Sequence, residues 1–190
     1  MPKLPPDVQK ALERQAPKFL KKPFTKEFKD KFEDLKKQMI KEFLTHPVTM
    51  EIQAGPSSTN ISGTLNGITN LFAFIGFDQG DEPIRPILEI LEGIDYTYAG
   101  DAKIGVTYRV NIPEAKEIFA VTPLPYVSGR SWAKGVESGI SGLGYLLRKN
   151  KGRSGAAIQS KYKVRGGRFQ NTSYISALIS KYKKEFTKLQ

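Results

Sequence analysis

At 190 residues, with 39% hydrophobic and 11% aromatic side chains, the chain can bury one substantial core but hardly two. A net charge of +11 draws it toward polyanions, so nucleic acid, anionic membrane surfaces and acidic proteins all enter as partner classes. The absence of cysteine excludes disulfides and thiolate zinc sites.

Read from the N-terminus, MPKLPPDVQK has no apolar run of signal-peptide length, and no later window approaches the roughly 18 apolar residues of a membrane span. The expectation is a soluble protein that is not exported, with no membrane partner. The sequons Asn60-Ile61-Ser62 and Asn171-Thr172-Ser173 then have no bearing on its fold. Residues 1–23, interrupted by Pro17 and Pro23, read as a flexible or short-helical arm. From Phe24 the apolar residues Phe28, Phe32, Leu35, Met39 and Phe43 follow at gaps of 3 or 4, one stripe of an amphipathic helix. Thr25 is its expected N-cap, and the His46-Pro47 step its expected end.

Val48, Met50 and Ile52 alternate with polar residues, which predicts a strand. Gly55 to Gly67 is nearly pure turn composition and predicts a long mobile loop, a common kind of interaction site. TNLFAFIGF, residues 69–77, predicts a buried strand. Pro83 opens an expected helix with Ile84, Ile87, Leu88 and Leu91 on one face and Gly93 at its end. Alternation of Ile104, Val106, Tyr108, Val110 and Ile112 predicts a strand, and a helical turn through Ile118 and Phe119 follows Pro113. AVTPLPYVSG makes a tight connection. Farther on, Ile158, Ser160, Tyr162 and Val164 alternate with Gln159, Lys161 and Lys163 as an edge strand would. A last helix, capped by Asn171 or Thr172, buries Tyr174, Ile175, Leu178, Ile179 and Tyr182. The fold class is therefore α+β: a long amphipathic N-terminal helix on a small, mostly antiparallel sheet, with further short helices and a C-terminal helix. Residues 24–147 form the core domain, and 148–190, a basic strand and loop plus that helix, belong to the same unit.

Tests for chemistry point away from catalysis. A single histidine beside a helix stop and no cysteine leave few general bases or soft metal ligands. Asp78, Asp81 and Glu82 fail the EF-hand spacing and suit a solvated turn. In GRSWAKGVESGISGLGYLL, residues 129–147, neither the P-loop nor the dinucleotide pattern is met. Trp132, Val136, Ile140, Leu143 and Leu147 instead keep helical spacing, with Gly135, Gly139 and Gly142 as a second stripe. Mid-helix glycines cost about 1 kcal/mol each, so they need a compensating close approach. The reading is a close-packing segment, against an alternative in which the glycines supply loop conformations. No metal, cofactor or catalytic residue is expected.

Charge is divided into blocks. Residues 1–45 carry 12 basic and 7 acidic side chains, residues 46–127 carry 4 and 10, and residues 128–190 carry 14 and 2. Opposite-signed surfaces suit a subunit that meets neighbours. The densest basic group, Lys149, Lys151, Arg153, Lys161, Lys163, Arg165 and Arg168, is interleaved with Tyr162 and Phe169. Such a group is either a protein interface or a polyanion-binding surface.

The order of features over roughly residues 24–147 resembles tail-completion or neck proteins of contractile-tailed bacteriophages. The resemblance rests on the long amphipathic helix, PVTMEIQAG, NISGTLNGITNLFAFIGF, the proline-started helix, the regular strand and GRSWAKGVESGISGLGYLL. It implies a non-enzymatic virion protein that forms a ring with copies of itself at the head-tail connection and is assembled in the host cytoplasm. Its neighbours would be other neck proteins, portal-side proteins or tail-tube and sheath proteins, with non-specific contact to packaged DNA. The loop at Gly55–Gly67 would serve as a docking arm. The alternative is a basic nucleic-acid-binding protein that uses the 149–169 region.

Overall fold

A single 40-residue helix, α1 (Pro6–Thr45), is the longest element of the computed structural model, which describes residues 5–65, 69–102, 105–125, 127–139 and 172–189. At 1.5 Å per residue it spans about 60 Å. The predicted start at Thr25 is corrected: Pro6 occupies the first helical position and both Pro17 and Pro23 lie inside the helix. Thr25 instead donates from Oγ1 back to the Lys21 carbonyl at 2.7 Å and accepts from the Tyr108 hydroxyl at 2.8 Å, tying the helix to the sheet. The predicted stripe is the packing face, with Phe32, Met39 and Phe43 fully buried and Phe28 and Leu35 partly so.

The expected strand at 48–52 is a helix, α2 (Pro47–Gln53). Pro47 is not only a stop for α1. Its fixed φ suits the first position of a new helix, and His46 Nδ1 accepts from the Val48 N–H as N-cap. A 3₁₀ turn, Gly55–Ser57, follows. TNLFAFIGF is also helical, as α3 (Leu71–Ile75): Asn70 Oδ1 caps it through the Ala73 N–H, and Gly76, at φ +93°, ends it in the left-handed conformation. Both corrections share one cause, since a short apolar run fits a buried helix as well as a strand.

α4 (Arg85–Glu92) lies where the proline-started helix was expected and buries Ile87 and Leu91. Strand β1 (Asp95–Asp101), absent from the sequence reading, pairs antiparallel with β2 (Val106–Asn111) from Asp95↔Asn111 to Asp101↔Val106. α5 (Ala115–Ala120) follows. The AVTPLPYVSG connection is a second small hairpin of β3 (Pro123–Leu124) and β4 (Val127–Ser131). α6 (Trp132–Ser138) and the C-terminal α7 (Ile175–Thr187) complete the described elements. The class is thus α+β. The edge strand predicted at 158–164 and the basic loop before it lie outside the described residues.

α1 crosses the β1–β2 hairpin through an aromatic layer. Phe28 stacks on Tyr108 at 4.3 Å, and both Phe28 and Phe32 meet the Tyr96 edge, at 5.0 and 4.8 Å. Pairs of this geometry contribute about 0.5–1.5 kcal/mol each beyond their buried area. α7 lays Ile175, Leu178, Ile179, Tyr182 and Phe186 into the core, with Phe186 against Phe32 at 5.5 Å. Among the described residues no helix is long and apolar enough to cross a membrane.

Candidate interaction surfaces

Among the described residues, the buried polar groups Thr49, Glu51, Asn70 and Thr122 join elements and do not converge on one open site. Glu51, wholly buried on α2, is the most connected. Its Oε1 accepts from the Leu71 N–H at 2.6 Å and from Asn60 Nδ2 at 3.0 Å, and its Oε2 accepts from the Ser62 N–H at 2.7 Å. Asn60 Oδ1 in turn accepts from the Leu65 N–H at 3.0 Å. Asn70, besides capping α3, donates from Nδ2 to the carbonyls of Pro56 and Ser58 at 2.8 and 2.9 Å. The segment expected to be a mobile loop is therefore held along its described part by three polar side chains, Glu51, Asn60 and Asn70. Two large apolar side chains stay exposed in this part of the molecule, Ile61 at 48% and Met50 of α2 at 44%.

A second polar junction holds α1, α2 and α7 together. His46 accepts at Nδ1, so Nε2 carries the proton and donates to the Ser173 carbonyl at 3.1 Å. Burial pushes the imidazole below its usual value, against the opposing effects of the Ser173 carbonyl and Glu42. The Tyr174 hydroxyl pairs with buried Thr49 at 2.8 Å, and burial raises its phenol far above the ordinary range. Glu42 Oε2 accepts from Lys181 Nζ at 2.6 Å and from the Tyr182 hydroxyl at 2.9 Å. The Lys181 hydrogen bond holds the Glu42 carboxyl low, while burial and Glu42 push Tyr182 up to about 12. Glu137 caps α7 from outside, accepting from Ser176 N–H and Oγ at 2.6 Å each.

Within the predicted close-packing segment, Ser131 Oγ accepts from the Lys134 N–H and starts α6. Trp132 and Val136 are buried, and the indole meets Phe77 edge-on at 5.9 Å and Tyr174 at 6.2 Å. Gly135 lies within α6, but Gly139 does not sit mid-helix: at φ +96° it follows the last helical residue. The helix that begins at Trp132 therefore ends at Ser138. Ile140, Gly142 and Leu143 lie outside the described residues, as do Lys149, Lys151, Arg153, Lys161, Lys163, Arg165 and Arg168.

A cleft of about 1200 Å³ opens between α1, β2 and the end of α7. Phe24, Phe28, Tyr108, Val110 and Phe186 supply apolar lining, and Glu27, Lys31, Glu117 and Lys183 supply two carboxylates and two ammonium groups. Gly105, at φ +100°, lets the Phe24 ring approach: a Cβ there would lie 3.3 Å from it. Sequence reading missed this cleft because β1 was missed. It also missed the Glu51 junction, whose signal is a lone acid before a long stretch rich in Ser, Thr, Asn and Gly. The expected turn at Asp78–Glu82 is exposed and self-satisfied: Asp81 accepts from the Asp78 N–H at 2.8 Å, and Glu82 pairs with Arg85 at 3.1 Å. Among the described residues no three His, Cys, Asp or Glu side chains gather to hold a metal ion. No protein family, curated protein or solved structure matches the chain.

Proposed function

We propose that this chain is a structural virion protein, a ring-forming subunit of the neck or tail-completion assembly that joins head to tail in a contractile-tailed bacteriophage. The observation that carries the reading is the Glu51–Asn70 junction. PVTMEIQAG and NISGTLNGITNLFAFIGF, two of the segments on which the resemblance rests, are joined there into one unit by Glu51, Asn60 and Asn70. The buried polar chemistry of this unit supports the reading because it fixes the surface formed by the described part of the loop. An acidic middle between basic ends adds the opposite-signed flanks that a subunit meeting different neighbours uses.

Electron microscopy of the source particle, with the protein tagged, tests the reading. The expected result is a ring of density at the head-tail junction. Neutralising Lys149, Lys151, Arg153, Arg165 and Arg168 together is expected to leave heads and tails unjoined. Label absent from the junction, combined with tight, steeply salt-dependent DNA binding by the isolated monomer, overturns the reading in favour of a nucleic-acid-binding protein.

A further inference from the structure

β1 and β2 form a sheet of two strands, and among the described residues neither has a partner on its outer edge. An open edge presents a row of backbone N–H and C=O groups to any strand that approaches. Natural edges are usually blunted by proline, lysine or a bulge, and β2 (Val106–Asn111) has none of these.

The large cleft runs along this edge. β2 lines it with residues of both faces, half-buried Val106, Tyr108 and Val110 together with exposed Thr107 and Asn111, whereas no residue of β1 lines it. The opening is therefore on the side of β2 away from β1. A neighbouring strand would lie about 4.8 Å from β2, and the cleft keeps that space free between α1 and α7.

The other open edge of the same sheet is its complement. β1 carries two charged residues, Asp95 and Asp101, while β2 carries one, Arg109, which stands opposite Thr97. Two β2 edges brought together would set Arg109 against its own copy, and two β1 edges would set Asp95 against Asp101. Like charges across strands are destabilising, so charge favours β2 against β1. Direction favours the same pairing. A rotation that carries one copy to the next around a ring keeps each strand's sense along the axis, so the incoming β1 runs antiparallel to β2, as it does within one chain. Asp95 then arrives at the Asn111 end of β2. Lys183 stands near that end: it lines the cleft, and after Lys116 it helps to hold the carboxyl of Glu114, just past β2, below its usual value. The other charged groups of the cleft have partners already, since Glu27 and Lys31 pair at 2.7 Å and Glu117 closes the capping box of α5.

We infer that copies of this chain join by continuing the sheet, with β1 of one copy pairing antiparallel along the open edge of β2 in the next. The bulge between Tyr98 and Gly100 confines the regular run of β1 to residues 95–98. A head-to-tail contact of this kind closes into a ring or runs on as a filament. The inference rests on the ring-subunit reading for its biological setting, but its physical test does not.

The chain has no cysteine, so introduced thiols report without background. Thr97→Cys is mixed in turn with Thr107→Cys, Arg109→Cys and Asn111→Cys, all at exposed positions, with tags of different size and an oxidant. Circular dichroism and melting check the fold of each variant. A disulfide needs Cα atoms within about 7 Å, so facing strands are trapped selectively, and at one of the three positions the mixed disulfide is expected to exceed either homodimer about tenfold or more. Two measurements on the wild-type chain need no substitution. Sedimentation velocity is expected to show self-association, and hydrogen exchange at β2 amides that point away from β1 is expected to slow about tenfold or more as oligomer forms.

A wild-type chain that stays monomeric to its solubility limit, β2 amides that exchange equally fast in the oligomer, or homodimers that match the mixed species at every position overturns the inference. The connector reading stands or falls separately, on where the protein lies in the particle. Sheet-joined copies of a protein absent from the head-tail junction would sink that reading alone.

Discussion

Glu51 is a carboxylate with no solvent contact whose partners are three N–H donors from one loop and the first turn of α3. Truncation to alanine would leave the backbone N–H groups of Ser62 and Leu71 and the Asn60 amide without their acceptor, and each unsatisfied buried donor costs about 1–3 kcal/mol. Glu51→Ala is therefore expected to destabilise the fold by about 3–5 kcal/mol. Glu51→Gln keeps one carbonyl acceptor and a similar volume, with an expected loss of about 2 kcal/mol. Urea denaturation gives both, as a shift in midpoint at unchanged slope. A loss below about 1 kcal/mol for alanine would mean that water replaces the carboxylate and that the loop is not held from Glu51. The reading of the sequence as a strand hid this residue: a glutamate between Met50 and Ile52 looks like the polar half of a strand, and its burial follows only once α2 turns it inward.

The junction of α1, α2 and α7 depends on one neutral ring at the element scale. His46 must accept at Nδ1 to cap α2 and donate at Nε2 to hold Ser173 at the entry to α7. Protonation removes the acceptor, and burial opposes the charge, so the folded state favours the neutral form. A lowered folded-state pKa gives stability that is complete above the unfolded value, 6.5. That stability is lost as pH falls from there through the lowered folded value. Unfolding midpoints are expected to drop as pH falls below about 6.5, the unfolded value. His46→Asn, which caps without titrating, is expected to lose that dependence. Glu42, held low chiefly by Lys181, contributes in the same direction but only in the more acidic window below 4.5. A His46→Asn variant with the same pH profile as wild type would assign the effect elsewhere.

Elements were legible in the sequence where periodicity was long or punctuation unambiguous. Phe32, Met39 and Phe43 fixed the buried stripe of α1, and Tyr174 to Tyr182 fixed that of α7. Val106, Tyr108 and Val110 carried β2, while Pro83 and Ile84 led into α4. Proline was the weak sign. Pro47 both ended one helix and began another, and Pro17 and Pro23 proved compatible with the interior of α1. Three to five apolar residues, as in Val48 to Ile52 or Leu71 to Ile75, cannot separate a strand from a buried helix. The caps could have decided: Asn70 before and Gly76 after the second run are helix punctuation. β1 escaped because Asp95, Gly100 and Asp101 weaken its strand composition, and its place depends on pairing with β2. The cleft depends on that same pairing.

On the scale of the whole molecule, two electrostatic influences oppose each other when copies of the chain meet. Net positive ends flank a net negative middle, so opposite-signed blocks attract where they face each other, whereas two whole chains at +11 repel. Salt screens both, with a Debye length of about 10 Å at 0.1 M. A contact built on facing basic and acidic blocks is expected to weaken about tenfold or more as salt rises from about 0.05 to about 0.5 M, because the attraction at short range outweighs the repulsion of the whole chains. Sedimentation velocity of the full chain at the two salt concentrations measures this. Self-association that strengthens with salt would show that the net repulsion governs and that the blocks do not face each other.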